Sequence, residues 1–230
     1  MFTAATYNVH SWRDRYGRKN IGDSLMVIGN LKADAVAIQE AALCSKGRKT
    51  LCLRDLERAT GMNAVPGITF RRKGKHFGNI LLSPHPFRSV GIMDLSIRNR
   101  EPRVAILATL DYQGIPIRII ATHLGLGSGE RRKQIKRLLE RISKPSDKIT
   151  ILMGDLNEWN PLSLAETGLR RHFGHIWSPP SFPSRSPLLS LDRILVKPRK
   201  ARRRIAVVRT PPAESASDHL PVIAAIDLFL

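Results

Sequence analysis

Cysteine is scarce in this 230-residue sequence, acids are outnumbered two to one, and no long apolar run occurs. Cys44 and Cys52 are the only cysteines, and residues 45–51 between them rule out a C-x-x-C metal or redox clasp. They are expected as unpaired thiols, because a local disulfide needs an oxidising compartment. No apolar stretch approaches the ~20 residues of a spanning helix, so no transmembrane segment is expected. The opening Phe2-Thr3-Ala4-Ala5-Thr6-Tyr7 reads as a strand. It lacks the basic region and apolar stretch of a signal peptide, which makes the cytoplasm the expected location. Internal repeats and linker-like segments are missing too, and a single domain over 1–230, working as a monomer, is expected.

What is abundant is positive charge. Lysine and arginine number 38 against 19 acids, a formal charge of +19 with a pI near 11.0. Such an excess is the footprint of a polyanion, nucleic acid first and an acidic membrane surface second. The cations cluster at Lys46/Arg48/Lys49, Arg71/Arg72/Lys73/Lys75, Arg131/Arg132/Lys133/Lys136/Arg137 and Lys197/Arg199/Lys200/Arg202/Arg203/Arg204.

Apolar patterning predicts strands over Phe2 to Val9, Ala35 to Ile38, Ala64 to Phe70, Phe77 to Leu82, Arg88 to Leu95, Val104 to Asp111 and Ile115 to Thr122. Further strands are predicted at Ile149 to Met153, Leu191 to Val196, Ile205 to Arg209 and Val222 to Leu228. Helical spacing covers Ile21 to Leu31, Leu51 to Thr60 and Ser128 to Ile142, the last capped by Ser128 and followed by Pro145. Many strands in hairpins with a few helices imply an α+β sandwich of two sheets covered by helices.

Polar residues gather where these strands end. Asn8 closes the first, Gln39-Glu40 follow the second, and His123 ends the strand before Gly125-Leu126-Gly127-Ser128-Gly129. Gly154-Asp155-Leu156-Asn157 follows an apolar strand, Asp192 opens another, and Asp218-His219 precedes the last. Each has an ordinary explanation alone: Asx turns for Asp155 and Asn157, an ion pair for Glu40, a turn for Asn8. Together they form a hard-cation and acid-base set, since Mg²⁺ favours one or two carboxylates beside substrate phosphate. A carboxylate such as Asp192 on one imidazole nitrogen would fix the tautomer of the other. The glycine run is only a partial likeness of a phosphate-cradling loop, because no G-x-x-x-x-G-K-[ST] is present.

With these segments in view, the chain resembles the endonuclease/exonuclease/phosphatase superfamily, that of pancreatic deoxyribonuclease, exonuclease III and the neutral sphingomyelinases. The resemblance is carried by Thr6-Tyr7-Asn8-Val9-His10, Ile38-Gln39-Glu40, Arg100-Glu101-Pro102-Arg103, Thr122-His123-Leu124 and Gly154-Asp155-Leu156-Asn157. It continues through Leu191-Asp192-Arg193-Ile194-Leu195-Val196 and Ser217-Asp218-His219-Leu220-Pro221-Val222. It implies a four-layered α/β/β/α sandwich of two mixed sheets flanked by helices. It also implies that Glu40, assisted by Asn8 and Asp218, holds Mg²⁺, with Mn²⁺ or Ca²⁺ as alternatives. Asp155 would orient or deprotonate water, Asn157 would grip phosphate, and His219, oriented by Asp192, would act as acid-base. His123 stands at a catalytic-histidine position, and Arg100 at one that touches DNA phosphate. Leu188-Leu189-Ser190 stands where abasic-site enzymes carry an aromatic residue. The charge makes DNA the expected substrate of a nuclease with little sequence preference. The alternatives are a phospholipid or sphingolipid phosphodiesterase, an inositol-phosphate phosphatase, or a binding protein with a vestigial site.

Overall fold

A computed structural model describes residues 1–44, 51–143, 149–199, 201 and 203–228. Lys46, Arg48, Lys49, Pro145, Lys200 and Arg202 therefore lie outside the described residues.

The strands build two mixed sheets. Sheet 1 contains β1 (Phe2–Asn8), β2 (Ala35–Cys44), β3 (Asn63–Arg72), β4 (Lys75–Ser83), β10 (Arg203–Val207) and β11 (Val222–Ile226), in the order β10-β11-β1-β2-β4-β3. Sheet 2 contains β5 (Phe87–Asp94), β6 (Val104–Tyr112), β7 (Ile115–His123), β8 (Ile149–Asp155) and β9 (Asp192–Lys197), in chain order. Each sheet has one parallel pair, β1 with β2 and β7 with β8.

Apolar residues on both faces of these strands are the reason for the layering. One face of each sheet meets the other through Phe2, Ala37, Ile106, Ile119, Ile151 and Val222, all fully buried. The outer face of sheet 1 is covered by α1 (Ile21–Asn30), α2 (Leu53–Thr60) and α5 (Pro211–Ala216), which contribute Ile28, Leu56 and Ala213 to a second cluster. The outer face of sheet 2 is covered by α3 (Ser128–Ile142) and α4 (Leu164–Phe173), through Ile135, Leu138, Leu169 and Phe173. Burying a side chain of that size stabilises by roughly 1.5–3 kcal/mol, so all four layers are held by their own apolar seams. The expected α/β/β/α sandwich is the observed one.

Several elements depart from the sequence pattern. β2 does not stop at Ile38 but runs to Cys44, with a bulge between Ile38 and Ala41. Gly127, rather than Ser128, takes the N-cap position of α3, and no side chain caps it. Helices α4 and α5 lie outside the helical spacing of the sequence. Gly168 interrupts the apolar rhythm of α4, yet Ser163 caps it by accepting from the Glu166 backbone N–H (3.0 Å). The start signal S-x-x-E was thus present in the sequence. α5 begins on Pro211-Pro212, where proline's fixed φ suits the first helical turn. Cys44 and Cys52 are thiols, not a disulfide. Among the described residues no helix is long and apolar enough to cross a membrane.

Candidate active site

Sheet register brings the polar strand ends together. In the parallel β7–β8 pair His123 lies opposite Asp155, and in the antiparallel β8–β9 pair Asp155 lies opposite Asp192. Three residues distant in sequence thus form one row across sheet 2. Asn8 ends β1 beside Gln39 of β2, which brings sheet 1 to the same edge. A cavity of about 500 Å³ opens there, lined by Glu40, His123, Asp155, Asn157 and His219 together with Arg103.

The backbone is bent to aim these groups. Glu40 occupies the β2 bulge with φ 56°, and Asn157 has φ 51°. His10, Ser11 and Trp12, the short 3₁₀ turn after β1, are also left-handed. Such conformations cost about 1–3 kcal/mol each and persist where surrounding contacts enforce them. The bulge explains why Glu40 turns towards the cavity from inside a strand. Gly154, with φ 147°, lets β8 approach β7: a Cβ there would lie 1.8 Å from the Thr122 carbonyl oxygen.

Asp155 is the hub. Its Oδ1 accepts from the Asn157 backbone N–H (2.9 Å), an Asx turn. Its Oδ2 accepts from Asn8 Nδ2 (3.1 Å) and lies 3.6 Å from His123 Nε2 and 3.8 Å from His219 Nε2. Asn8 Nδ2 also donates to Glu40 Oε1 (3.0 Å), so one amide bridges two carboxylates. The Asn8 oxygen accepts from the His10 backbone N–H.

The two imidazoles are held in opposite charge states. Burial works against a charged His219, but Asp192 at 2.8 Å from Nδ1, with Asp155 and Asp218, outweighs it and raises the pKa to about 10. Asp192 is itself buried and accepts from Ser181 Oγ (2.5 Å). For His123, burial dominates and pushes the pKa down to about 4; Asp155 opposes this, while Arg103 and His219 add to it. Arg103 Nη1 lies 3.2 Å from His123 Nδ1, and a guanidinium has no acceptor. Nδ1 therefore accepts, the ring proton sits on Nε2, and His123 presents an N–H towards Asp155 and the cavity. Asn157 Nδ2, 3.0 Å from Nε2, donates instead to the Leu124 carbonyl (2.9 Å). Environments that separate two pKa values in this way assign an acid and a neutral donor.

The structure gathers Asn8, Glu40, His123, Asp155, Asn157, Asp192 and His219 at one point. Arg100 stands apart from it, whereas Asp218 is near enough to help hold the charge on His219. Asp218 pairs with His10 (3.6 Å) and does not line the cavity. Arg100 is exposed on the loop before β6, and its neighbour Arg103 reaches the cavity in its place. The motif Arg100-Glu101-Pro102-Arg103 contained the signal, but sequence alone cannot say which arginine turns inward. Phe182, whose ring lies 4.7 Å from that of His219, and the stacked Phe70–Phe77 pair supply apolar walls. In the glycine loop the Glu130 carboxylate fills the space over Gly125 and leaves no room for an anion there.

Asp155, Asp192 and His219 each offer a donor atom within 4.8 Å of the others, a spacing that could close round a divalent cation. The charge on His219 argues against that trio, since an imidazolium with its Nδ1 proton held by Asp192 and a second proton on Nε2 has no lone pair to give a cation. Glu40, beside the Asn8 amide whose oxygen would face it after rotation, matches a hard cation better and leaves Asp155 to water.

The sandwich and this site define a phosphodiesterase/phosphatase type of fold. The chain belongs to the Endonuclease/Exonuclease/phosphatase family, whose model matches residues 5–219. It is 32% identical over 164 residues to YbhP of Escherichia coli, an uncharacterized protein; the match covers 66% of this chain and 64% of that one. The chain thus spans less than two thirds of the curated relatives' length. Among solved structures it superposes on a mannosyl-6-phosphatase of Bacteroides thetaiotaomicron with TM-score 0.73 and 16% identity, covering 99% of this chain and 100% of that one. It also superposes on D. rerio TDP2 complexed with single-strand DNA product, with TM-score 0.71, 18% identity and 98% coverage of both.

Proposed function

We propose that this protein is a metal-dependent phosphodiesterase that cuts nucleic acid, DNA first, with little sequence preference. The convergence of His123, Asp155 and the Asp192–His219 pair on one point carries the chemistry. Asp155 Oδ2 orients the attacking water and takes its proton. His123 Nε2–H and Asn157 donate to phosphate oxygens. His219, charged and held by Asp192, stabilises the negative charge that develops and protonates the leaving oxygen. Mg²⁺ would be held by Glu40 and by Asn8 through its amide oxygen, and it would supply Lewis-acid polarisation of the phosphate.

Charge supports the choice of substrate. Exposed Arg71 and Arg72 extend the β3–β4 hairpin whose Phe70 and Phe77 wall the cavity, Arg98 and Arg100 precede Arg103, and Arg185 follows Phe182. Such contacts position a phosphate backbone without reading bases. TDP2, with single-strand DNA product on the same fold, supports the same reading.

Supercoiled plasmid, phospholipid vesicles and a sugar phosphate offered in parallel, with Mg²⁺ and then with EDTA, test the proposal. Plasmid nicking that needs Mg²⁺ and vanishes in Asp155→Ala is expected. Turnover of lipid or of the monoester with plasmid untouched would overturn the nuclease reading.

A further inference from the structure

A second cleft, of about 430 Å³, is lined by Leu189 and Ser190, next in sequence to Leu191 of the catalytic cavity, and has no part in the chemistry above. Its walls include Trp159, Trp177 and Leu188, with Arg170 and His175 at its edge. Of the three tryptophans, Trp12 is fully buried, whereas Trp159 is 61% and Trp177 56% exposed. Exposed apolar surface gathered in one cleft marks a binding site more often than a bare surface.

Both tryptophans sit on backbone that also carries reacting groups. Trp159 comes two residues after Asn157, a span of at most ~7 Å. Its neighbour Glu158 is fully buried, paired with Arg131 (3.2 Å), and accepts from the Asn160 backbone N–H (3.1 Å). Trp177 adjoins Ser178, whose Oγ donates to the Asp192 carbonyl (2.7 Å) and whose carbonyl accepts from Ser190 Oγ (2.9 Å). Each tryptophan is therefore anchored through the same backbone that sets Asn157 or Asp192.

We propose that this cleft is a base-stacking subsite, which takes an unpaired nucleobase of the strand whose phosphate lies in the catalytic cavity. The inference rests on the nuclease reading. Indole faces stack on any base without reading it, and exposed Arg170 and His175 complement the backbone that carries it. A cleft of about 430 Å³ has room for a flat ring, whereas a bilayer is met by a projecting apolar surface lying in the headgroup plane. Bases in a duplex hide their faces, so the subsite selects single-stranded or frayed ends.

Tryptophan fluorescence in EDTA, where no strand is cut, reads the subsite directly. Oligo-dT should quench it, and an abasic oligonucleotide of equal length and charge should not. Trp159→Ala and Trp177→Ala should each weaken oligo-dT binding roughly 5- to 150-fold, Trp→Phe should retain most of it, and abasic binding should not change. Equal binding of the two oligonucleotides, unmoved by either substitution, overturns the subsite. So does a blue shift on phosphatidylglycerol vesicles without quenching by oligo-dT. Plasmid cleavage beside base-blind binding overturns the subsite and leaves the nuclease reading standing. Quenching by oligo-dT without cleavage supports the subsite and overturns the nuclease reading.

Discussion

Replacing Asp192 with asparagine isolates one charge while keeping shape and burial. In the wild-type structure the Asp192 carboxylate, 2.8 Å from Nδ1, is the first contribution that holds His219 protonated against burial, at about 10. An amide leaves burial dominant, so the ring becomes neutral near pH 7. Its NH₂ group facing Nδ1 would also make that nitrogen an acceptor. His219 then loses both the positive charge that meets the developing phosphorane and the proton for the leaving oxygen. General-acid contributions of this kind amount to roughly 10²–10⁴ in rate, or ~3–5.5 kcal/mol. Plasmid nicking in excess Mg²⁺ at pH 7.5 should fall by that factor in Asp192→Asn. A ¹⁵N-imidazole titration in EDTA should show His219 charged to near pH 10 in the wild type and neutral far lower in the variant. Circular dichroism guards against misfolding. A folded variant that nicks within threefold of the wild-type rate, or whose His219 still titrates near pH 10, would refute the assignment.

Gly154→Ala places a Cβ 1.8 Å from the Thr122 carbonyl oxygen at φ 147°. Strain plus overlap should cost at least ~3 kcal/mol and lower Tm by about 6–12 °C in a thermal melt; an unchanged Tm would contradict the packing. His123 should leave a mark at acid pH. Its folded pKa of about 4 lies below the ordinary 6.5, so its neutral form contributes stability above pH 6.5. That contribution, no more than ~3 kcal/mol, should fade as the unfolded ring takes up a proton between pH 6.5 and 4. Denaturant unfolding in EDTA should show this limb in wild type and lose it in His123→Gln.

Much of the architecture was legible because strands of this sandwich are apolar on a simple pattern. Ile149 to Met153 and Ile115 to Thr122 announce themselves through runs of buried β-branched residues, and their polar ends stand out by contrast. Glu40 was legible as chemistry but not as conformation. A bulge depends on pairing with β4, which no local window contains. The same limit applies to Arg103: whether it or Arg100 turns inward follows from where β6 meets β7, a register set at long range. Phe182 acquires its role only when its loop folds over His219. Helix α4 was hidden for a different reason, a mid-helix glycine that weakens the periodic signal despite a sound cap.

The row His123, Asp155, Asp192 is fixed by strand pairing, whose spacing of about 4.8 Å is common to all sheets. The loops that follow Asn157 and precede Asp192 carry none of that spacing. Apart from Ser178 and Ser181, which hold Asp192, their length and sequence can change through insertion or deletion while the reacting groups stay in place. A lineage could therefore exchange one phosphate ester for another by rewriting loops alone, with the hydrogen-bond ladder as the part that stays constant.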